Sequence, residues 1–132
     1  MKKINLAITG CMGRMGQQLI KSANKDKAFK ITSLTESRRI NKRICGVSPE
    51  INSIDAFKKA NVIIDFTVPK CTFEILKIAF KLKKKVVIGT TGFTKKEEKL
   101  IKKFSNKIPI LKAGNMILGV NLLMYLTEIT SR

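Results

Sequence analysis

Residues 4–16 read Ile4-Asn5-Leu6-Ala7-Ile8-Thr9-Gly10-Cys11-Met12-Gly13-Arg14-Met15-Gly16, an apolar run that breaks into three glycines at three-residue spacing. Few backbones satisfy that pattern. A buried strand must end at Gly10, turn tightly, and enter a helix that packs close to the strand it has just left. The first glycine permits the turn. The second lets backbone approach an anion with no Cβ in the way, and the third brings helix against strand. The helix N-terminus then presents N–H groups and the positive end of its dipole, an arrangement suited to a dinucleotide pyrophosphate. Because the spacing departs from G-x-G-x-x-G, the loop alone also fits a glycine-rich turn with no ligand.

A downstream acid separates these two readings. Phe29-Lys30-Ile31-Thr32-Ser33-Leu34-Thr35 reads as a second strand, and Glu36 ends it, 20 residues after Gly16. Dinucleotide folds place a carboxylate there to accept hydrogen bonds from the adenosine ribose. Such a carboxylate repels a 2′-phosphate and favours NADH. Ser37, Arg38 and Arg39 follow directly, and guanidinium groups hold phosphate bidentately, which favours NADPH. Both cofactors stay open, and ordinary solvated arginines are the plain alternative.

Strand and helix signals then alternate to the end of the chain. A polar loop over 37–52, with Gly46 and Pro49, leads to a short helix near 53–59 that Ser53 caps. Val62-Ile63-Ile64-Asp65-Phe66 is a buried parallel strand, and Pro69 opens a helix running to about Leu82. Phe73, Leu76, Ile78, Ala79 and Phe80 are expected inward. Val86-Val87-Ile88 is the next strand, with Gly89-Thr90-Thr91-Gly92 as its loop. Thr94 caps a lysine-rich helix with Leu100, Ile101 and Phe104 toward the core, Ile108-Pro109-Ile110-Leu111 forms a fifth strand, and 118–130 begins another helix. The predicted fold is α/β: a Rossmann-like, doubly wound parallel sheet in a single domain. Ligands of such sheets bind outside the carboxyl ends of the strands, where these polar and glycine-rich loops gather.

Composition removes several classes of function. The 132 residues contain no histidine, so this chain supplies neither imidazole acid–base catalysis nor imidazole metal ligands. Cys11, Cys45 and Cys71 form no C-x-x-C pair and no zinc spacing, and no metal is expected. Cys11 lacks a histidine to activate it as a nucleophile. No apolar run reaches the roughly 18 residues of a membrane span, and Met1-Lys2-Lys3 leads straight into a strand, so a cytoplasmic protein is expected. The formal charge of +18 is compatible with nucleic-acid binding. The lysines are spread over every predicted helix, however, and the seven Phe and one Tyr fall mostly at core spacing. Attraction of small anions is the reading preferred over specific nucleic-acid binding.

Four motifs occur in order: Gly10-Cys11-Met12-Gly13-Arg14-Met15-Gly16 with Glu36; Asp65-Phe66-Thr67-Val68-Pro69; Ile88-Gly89-Thr90-Thr91-Gly92-Phe93; and Asn115-Met116-Ile117-Leu118-Gly119-Val120-Asn121. Together they resemble the 4-hydroxy-tetrahydrodipicolinate reductase (dihydrodipicolinate reductase) family of lysine and diaminopimelate biosynthesis. The resemblance implies an NAD(P)H-dependent oxidoreductase in which Gly10, Cys11, Met12, Gly13, Arg14 and Met15 hold the pyrophosphate. It implies that Glu36, with Ser37 and Arg38 beside it, binds the adenosine ribose end. Gly89, Thr90 and Thr91 would line the nicotinamide side, Ala113, Gly114, Asn115 and Met116 would complete that pocket, and Thr91 and Gly92 would lie near the dicarboxylate substrate. The chain departs from the family in carrying Ser37 where an arginine is common, and Ile117 where a serine is common.

The family's second domain carries a histidine-rich motif and a lysine that supply acid catalysis, bind the dicarboxylate and build a homotetramer. No such segment lies within these residues. The expected organisation is therefore a dinucleotide-binding domain over 1–118, with 119–132 starting the helix toward the substrate domain. No catalytic residue is expected in the chain, which would bind cofactor without turnover and be monomeric or weakly associated. The alternative is a non-catalytic nucleotide-binding module or a degenerate gene remnant.

Overall fold

A computed structural model describes residues 2–112. Five parallel strands alternate with four helices: β1 (Ile4–Thr9), α1 (Arg14–Lys25), β2 (Phe29–Thr35), α2 (Ile54–Phe57), β3 (Val62–Asp65), α3 (Pro69–Leu82), β4 (Lys85–Ile88), α4 (Lys95–Ser105) and β5 (Ile110–Lys112). The sheet order is β2-β1-β3-β4-β5, with every neighbouring pair parallel. The chain first steps outward from β1 to β2, then returns past β1 and continues the other way. The order therefore reverses between β1 and β3, where a crevice opens at the carboxyl ends of the strands. The expectation of a Rossmann-like doubly wound sheet holds. The helix expected over 118–130 and the domain boundary at 118/119 lie outside the described residues.

Strand side chains divide between the two faces as the pleat requires. Leu6, Ile8, Leu34, Val62, Ile64 and Val87 pack against Leu19, Ile20 and Ala23 of α1. Ala7, Ile63, Val86 and Ile88 point to the other face, beneath Phe57 of α2, Ile75, Leu76 and Ala79 of α3, and Ile101 of α4. The reversal of sheet direction explains this division, since right-handed crossovers running opposite ways place their helices on opposite faces. β1 and β3 are buried on both sides, which is why their sequences are continuous apolar runs.

Local signals set the helix starts. Ser53 Oγ accepts from the Ala56 N–H, Pro69 occupies the first turn of α3, and Thr94 and Glu97 form a reciprocal capping box on α4. Two inward assignments are corrected. The buried stripe of α3 is Thr72, Ile75, Leu76 and Ala79, so Phe80 sits on its flank, 37% exposed, edge-on to Phe104 with the Lys83 ammonium over its ring. α4 buries only a narrow face at Ile101, which leaves Leu100 exposed. α2 is a single turn rather than the span 53–59. β5 begins after Pro109, which has no N–H to give a ladder, although its carbonyl accepts from the Val86 N–H. The 37–52 loop also carries pairing: Glu50 exchanges backbone hydrogen bonds with Leu34 and Glu36 along the outer edge of β2, a one-residue remnant of a further edge strand.

Gly16 shows how closely α1 approaches β1. A Cβ there would lie 2.2 Å from the Gly10 carbonyl oxygen and 2.9 Å from Cys11 Cα, both backbone atoms that cannot swing away. Gly16→Ala is expected to destabilise the fold by about 1–3 kcal/mol, the usual range for overpacking, read as a lower urea midpoint at unchanged slope.

Candidate functional site

The crevice at the sheet reversal is organised by one buried carboxylate. Asp65, fully buried at the end of β3, accepts from Thr9 Oγ1 (2.8 Å) and Thr67 Oγ1 (2.6 Å) on one oxygen, and from Thr72 Oγ1 and Thr90 Oγ1 (3.2 Å) on the other. Its backbone carbonyl accepts from the Gly89 N–H (2.8 Å), and Thr90 Oγ1 also accepts from the Thr67 N–H (2.9 Å). The loops after β1, β3 and β4 and the first turn of α3 are thereby fixed to one point. No cation touches Asp65 among the described residues, so the hydroxyl donors carry the whole compensation for burying it.

Above this anchor the glycine loop takes the shape its spacing predicts. Gly10 has φ +59° and its missing Cβ leaves room for Thr67, while Gly13 is the N-cap of α1 with no side chain capping the helix. The Cys11 N–H donates to the Thr35 carbonyl and the Gly13 N–H to the Gly10 carbonyl. The N–H groups of Arg14, Met15 and Gly16 find no acceptor among the described residues. These three donors, at the positive end of a 12-residue helix, are what an anion would meet.

Glu36 stands at the end of β2 with Oε2 on the Met12 N–H (3.0 Å) and Oε1 on the Ser37 N–H (2.9 Å). Each oxygen keeps acceptor capacity, so the carboxylate is oriented by backbone and still able to receive a pair of ribose hydroxyls. Gly10, Gly13, Glu36 and Ser37 share a cleft of about 360 Å³ with Thr35, Asn52, Phe66, Thr67, Val68 and Cys71. A helix end with three unused N–H donors, a glycine turn and an oriented carboxylate could hold an anion and a pair of hydroxyl donors.

Other predicted positions fall differently. The Cys11 side chain is fully buried and only its backbone borders the loop. Arg14 and Arg38 are exposed, and Arg39 belongs to a separate cleft with Asn41, Pro49 and Glu50. Thr90 is buried, its hydroxyl spent on the Asp65 network, so it positions the Gly89–Gly92 loop rather than offering a side chain to a ligand; Thr91 and Gly92 are exposed. Residues 113–116, expected to complete the nicotinamide pocket, lie outside the described residues. Sequence reasoning missed the Asp65 network, whose signal was an acid closing an apolar strand with threonines at three neighbouring strand ends. It also missed Phe66, whose ring covers Gly89 so closely that any Cβ there would overlap it.

The sequence profile described as "Dihydrodipicolinate reductase, N-terminus" matches residues 4–116. The chain belongs to this family. It is 71% identical over 132 residues to the 4-hydroxy-tetrahydrodipicolinate reductase of Pelagibacter ubique (strain HTCC1062), covering 100% of this chain and 51% of that protein. It is 40% identical over 145 residues to the reductase of the same name from Buchnera aphidicola subsp. Schizaphis graminum, covering 99% and 52%. The chain thus spans about half the length of these relatives and corresponds to the N-terminal domain of the reductase. A dipicolinate-bound dihydrodipicolinate reductase from Paenisporosarcina sp. TG-14 superposes with a TM-score of 0.73 at 23% identity, over 98% of this chain and 54% of that one. A biliverdin reductase from Synechocystis sp. PCC 6803 superposes with a TM-score of 0.68 at 17% identity, over 83% and 37%. At these identities the two structures speak for the fold alone.

In this N-terminal domain of the reductase family the three thiols are free and differ in burial. Burial, and then the Glu36 carboxylate, push the Cys11 thiol above its ordinary value of 9.0, and burial does the same to Cys71. Among the described residues no group of three or more His, Cys, Asp or Glu side chains could hold a metal ion, and no helix is long and apolar enough to cross a membrane. Well below pH 9 the buried Cys11 and half-buried Cys71 thiols are neutral whether the chain is folded or not. Above it the unfolded chain ionises first, so their contribution to stability is lost as pH rises through the folded-state values. We expect Cys45, the exposed thiol, to react fastest with a disulfide reagent, the half-buried Cys71 at the cleft wall to react more slowly, and the buried Cys11 to wait for unfolding. The double variant Cys11→Ala/Cys71→Ala is expected to lose less of its urea midpoint than the parent between about pH 8 and pH 10.

Proposed function

We propose that this chain binds NADH or NADPH and is the cofactor half of a reductase that transfers hydride to the dihydrodipicolinate precursor in lysine and diaminopimelate biosynthesis. The observation that supports this reading is the pairing of Glu36 with the glycine loop through the Met12 N–H, which sets a carboxylate beside unused helix-end donors. The pyrophosphate would rest on the N–H groups of Arg14, Met15 and Gly16, over Gly10 and Gly13. The adenosine ribose would donate to Glu36. A reduced nicotinamide supplies hydride from its C4 atom when bound.

The described residues have three tasks in that reaction. The Asp65 hydroxyl network holds the Gly89–Gly92 loop at the carboxyl end of β4, where the nicotinamide half would lie. Phe66, whose ring lies against Gly89, would exclude water from that side of the crevice. Thr91 and Gly92, exposed at its rim, would face the arriving dicarboxylate. With no histidine in its 132 residues, the chain has no imidazole to protonate the product, and that proton would come from the second domain. By itself the chain would bind cofactor without turnover, as a nucleotide-binding module does.

Isothermal titration of the chain with NADH tests the binding role. Glu36→Ala is expected to weaken NADH by about 1–3 kcal/mol, because a charge-assisted hydrogen bond is lost and the Met12 N–H loses its acceptor. Unchanged affinity would place the ribose elsewhere. The inactivity is tested separately, by following NADPH oxidation with enzymatically generated substrate. Sustained turnover by the 132-residue chain would overturn it.

A further inference from the structure

A second cleft, of about 540 Å³, lies behind the glycine loop. One wall is the face of α1 that carries Gln17, Lys21 and Lys25, and the other is the loop strand that carries Lys42, Arg43 and Ile44. Four of its lining side chains are cations and none is an acid. Neither ion pair among the described residues involves any of the four, although nine acids are distributed along the chain. The loop that carries Lys42 and Arg43 is itself held. Ile44 and Val47 exchange backbone hydrogen bonds across Cys45 (φ +51°) and Gly46 (φ +75°), and the Arg43 guanidinium donates through Nη2 to the Gly46 carbonyl. One of its five N–H groups is thus used for orientation, and the rest stay available for a bidentate acceptor.

Met12 joins this cleft to the ribose site. Its residue lines the basic cleft, and its N–H is the group that Glu36 grips with Oε2. The Glu36 carboxylate therefore stands in the partition between the two clefts, with the ribose proposed on one side and, on the other, four cations that pair with no acid among the described residues. The arginines that follow Glu36 in sequence do not gather there: Arg38 lines neither cleft, and Arg39 lines the separate one beside Glu50. The next residue after the acid is Ser37, which brings no charge.

Resting on the cofactor reading above, we propose that the cleft between α1 and the 42–45 loop is the 2′-phosphate subsite, with Arg43 and Lys42 as its principal ligands. A carboxylate at Glu36 opposes a phosphate dianion, and the local excess of four cations reverses that sign. The cleft makes the chain an NADPH binder in spite of its acid, and assigns the phosphate to residues six and seven positions past Glu36.

The test is titration of the full chain with NADPH and with NADH, for the parent and for Lys42→Ala, Arg43→Ala and Lys21→Ala/Lys25→Ala. Because Arg43 also braces its own loop, Lys42→Ala and the α1 double variant keep the result interpretable if Arg43→Ala disturbs that loop. Expected is a loss of roughly tenfold in NADPH affinity for each of Lys42→Ala and Arg43→Ala, with NADH held within about twofold, and a steeper salt dependence for NADPH than for NADH. Unchanged NADPH affinity in Lys42→Ala and in the α1 double variant would overturn the subsite and leave the cofactor reading standing. So would a parent chain that binds NADH and rejects NADPH. A parent chain that binds neither would overturn the cofactor reading itself. As a direct comparison, 2′,5′-ADP should outcompete 5′-ADP on the parent and lose that advantage on Arg43→Ala.

Discussion

Burying Asp65 without a cation commits much of the crevice to a single geometry. A carboxylate out of water needs its lone pairs filled, and four threonine hydroxyls from four different segments fill them. Each threonine lies where a strand ends or a helix begins, so satisfying the acid also fixes the turn after β1, the β3–α3 connection and the loop after β4. The cost of leaving any one hydroxyl or the acid unmet is of order 1–3 kcal/mol, which makes the arrangement cooperative rather than a sum of separate contacts. The loops around the crevice take their geometry from a group buried beneath them.

The same economy is visible in the glycine loop. Gly10 turns the chain, Gly16 lets α1 settle onto the turn, and Gly13 begins the helix without a side chain to occupy its N-terminus. Between them, Cys11 and Gly13 spend their own N–H groups on neighbouring carbonyls, and Met12 spends its N–H on Glu36. Three helix donors remain. The number of N–H groups left over, rather than the number of glycines, is what the loop offers to an anion.

Much of this is legible in the sequence. Apolar runs at Leu6–Ile8, Val62–Ile64 and Val86–Ile88 could be read as strands because both faces of the sheet are covered and no alternation is required of them. Pro69, Ser53 and Thr94 marked helix starts because each meets a backbone need that few residue types meet. Phe80 and Leu100 were misread because an apolar side chain at near-helical spacing need not lie on the buried stripe, and aromatic or lysine neighbours can cover it instead. The Asp65 network was hidden because its members lie far apart in sequence, and nothing local tells a threonine that serves a distant acid from one that merely ends a strand. In the candidate site, Glu36 was found by its distance from Gly16. The separation of Arg39 from Arg43 was not, because it depends on how the 37–52 loop folds back.

That fold-back also bears on an outer strand edge. β2 is the outermost strand of the sheet on its side, and an open strand edge invites pairing with another chain. Glu50 closes part of that edge by taking up the backbone groups of Leu34 and Glu36, and it brings a negative charge to a surface otherwise crowded with lysine. One loop therefore joins two features in series: its first half carries Arg43, and its last residues occupy backbone groups of a strand edge. A change in the length of this loop would move Arg43 and the Glu50 pairing together, because both depend on the same fold-back.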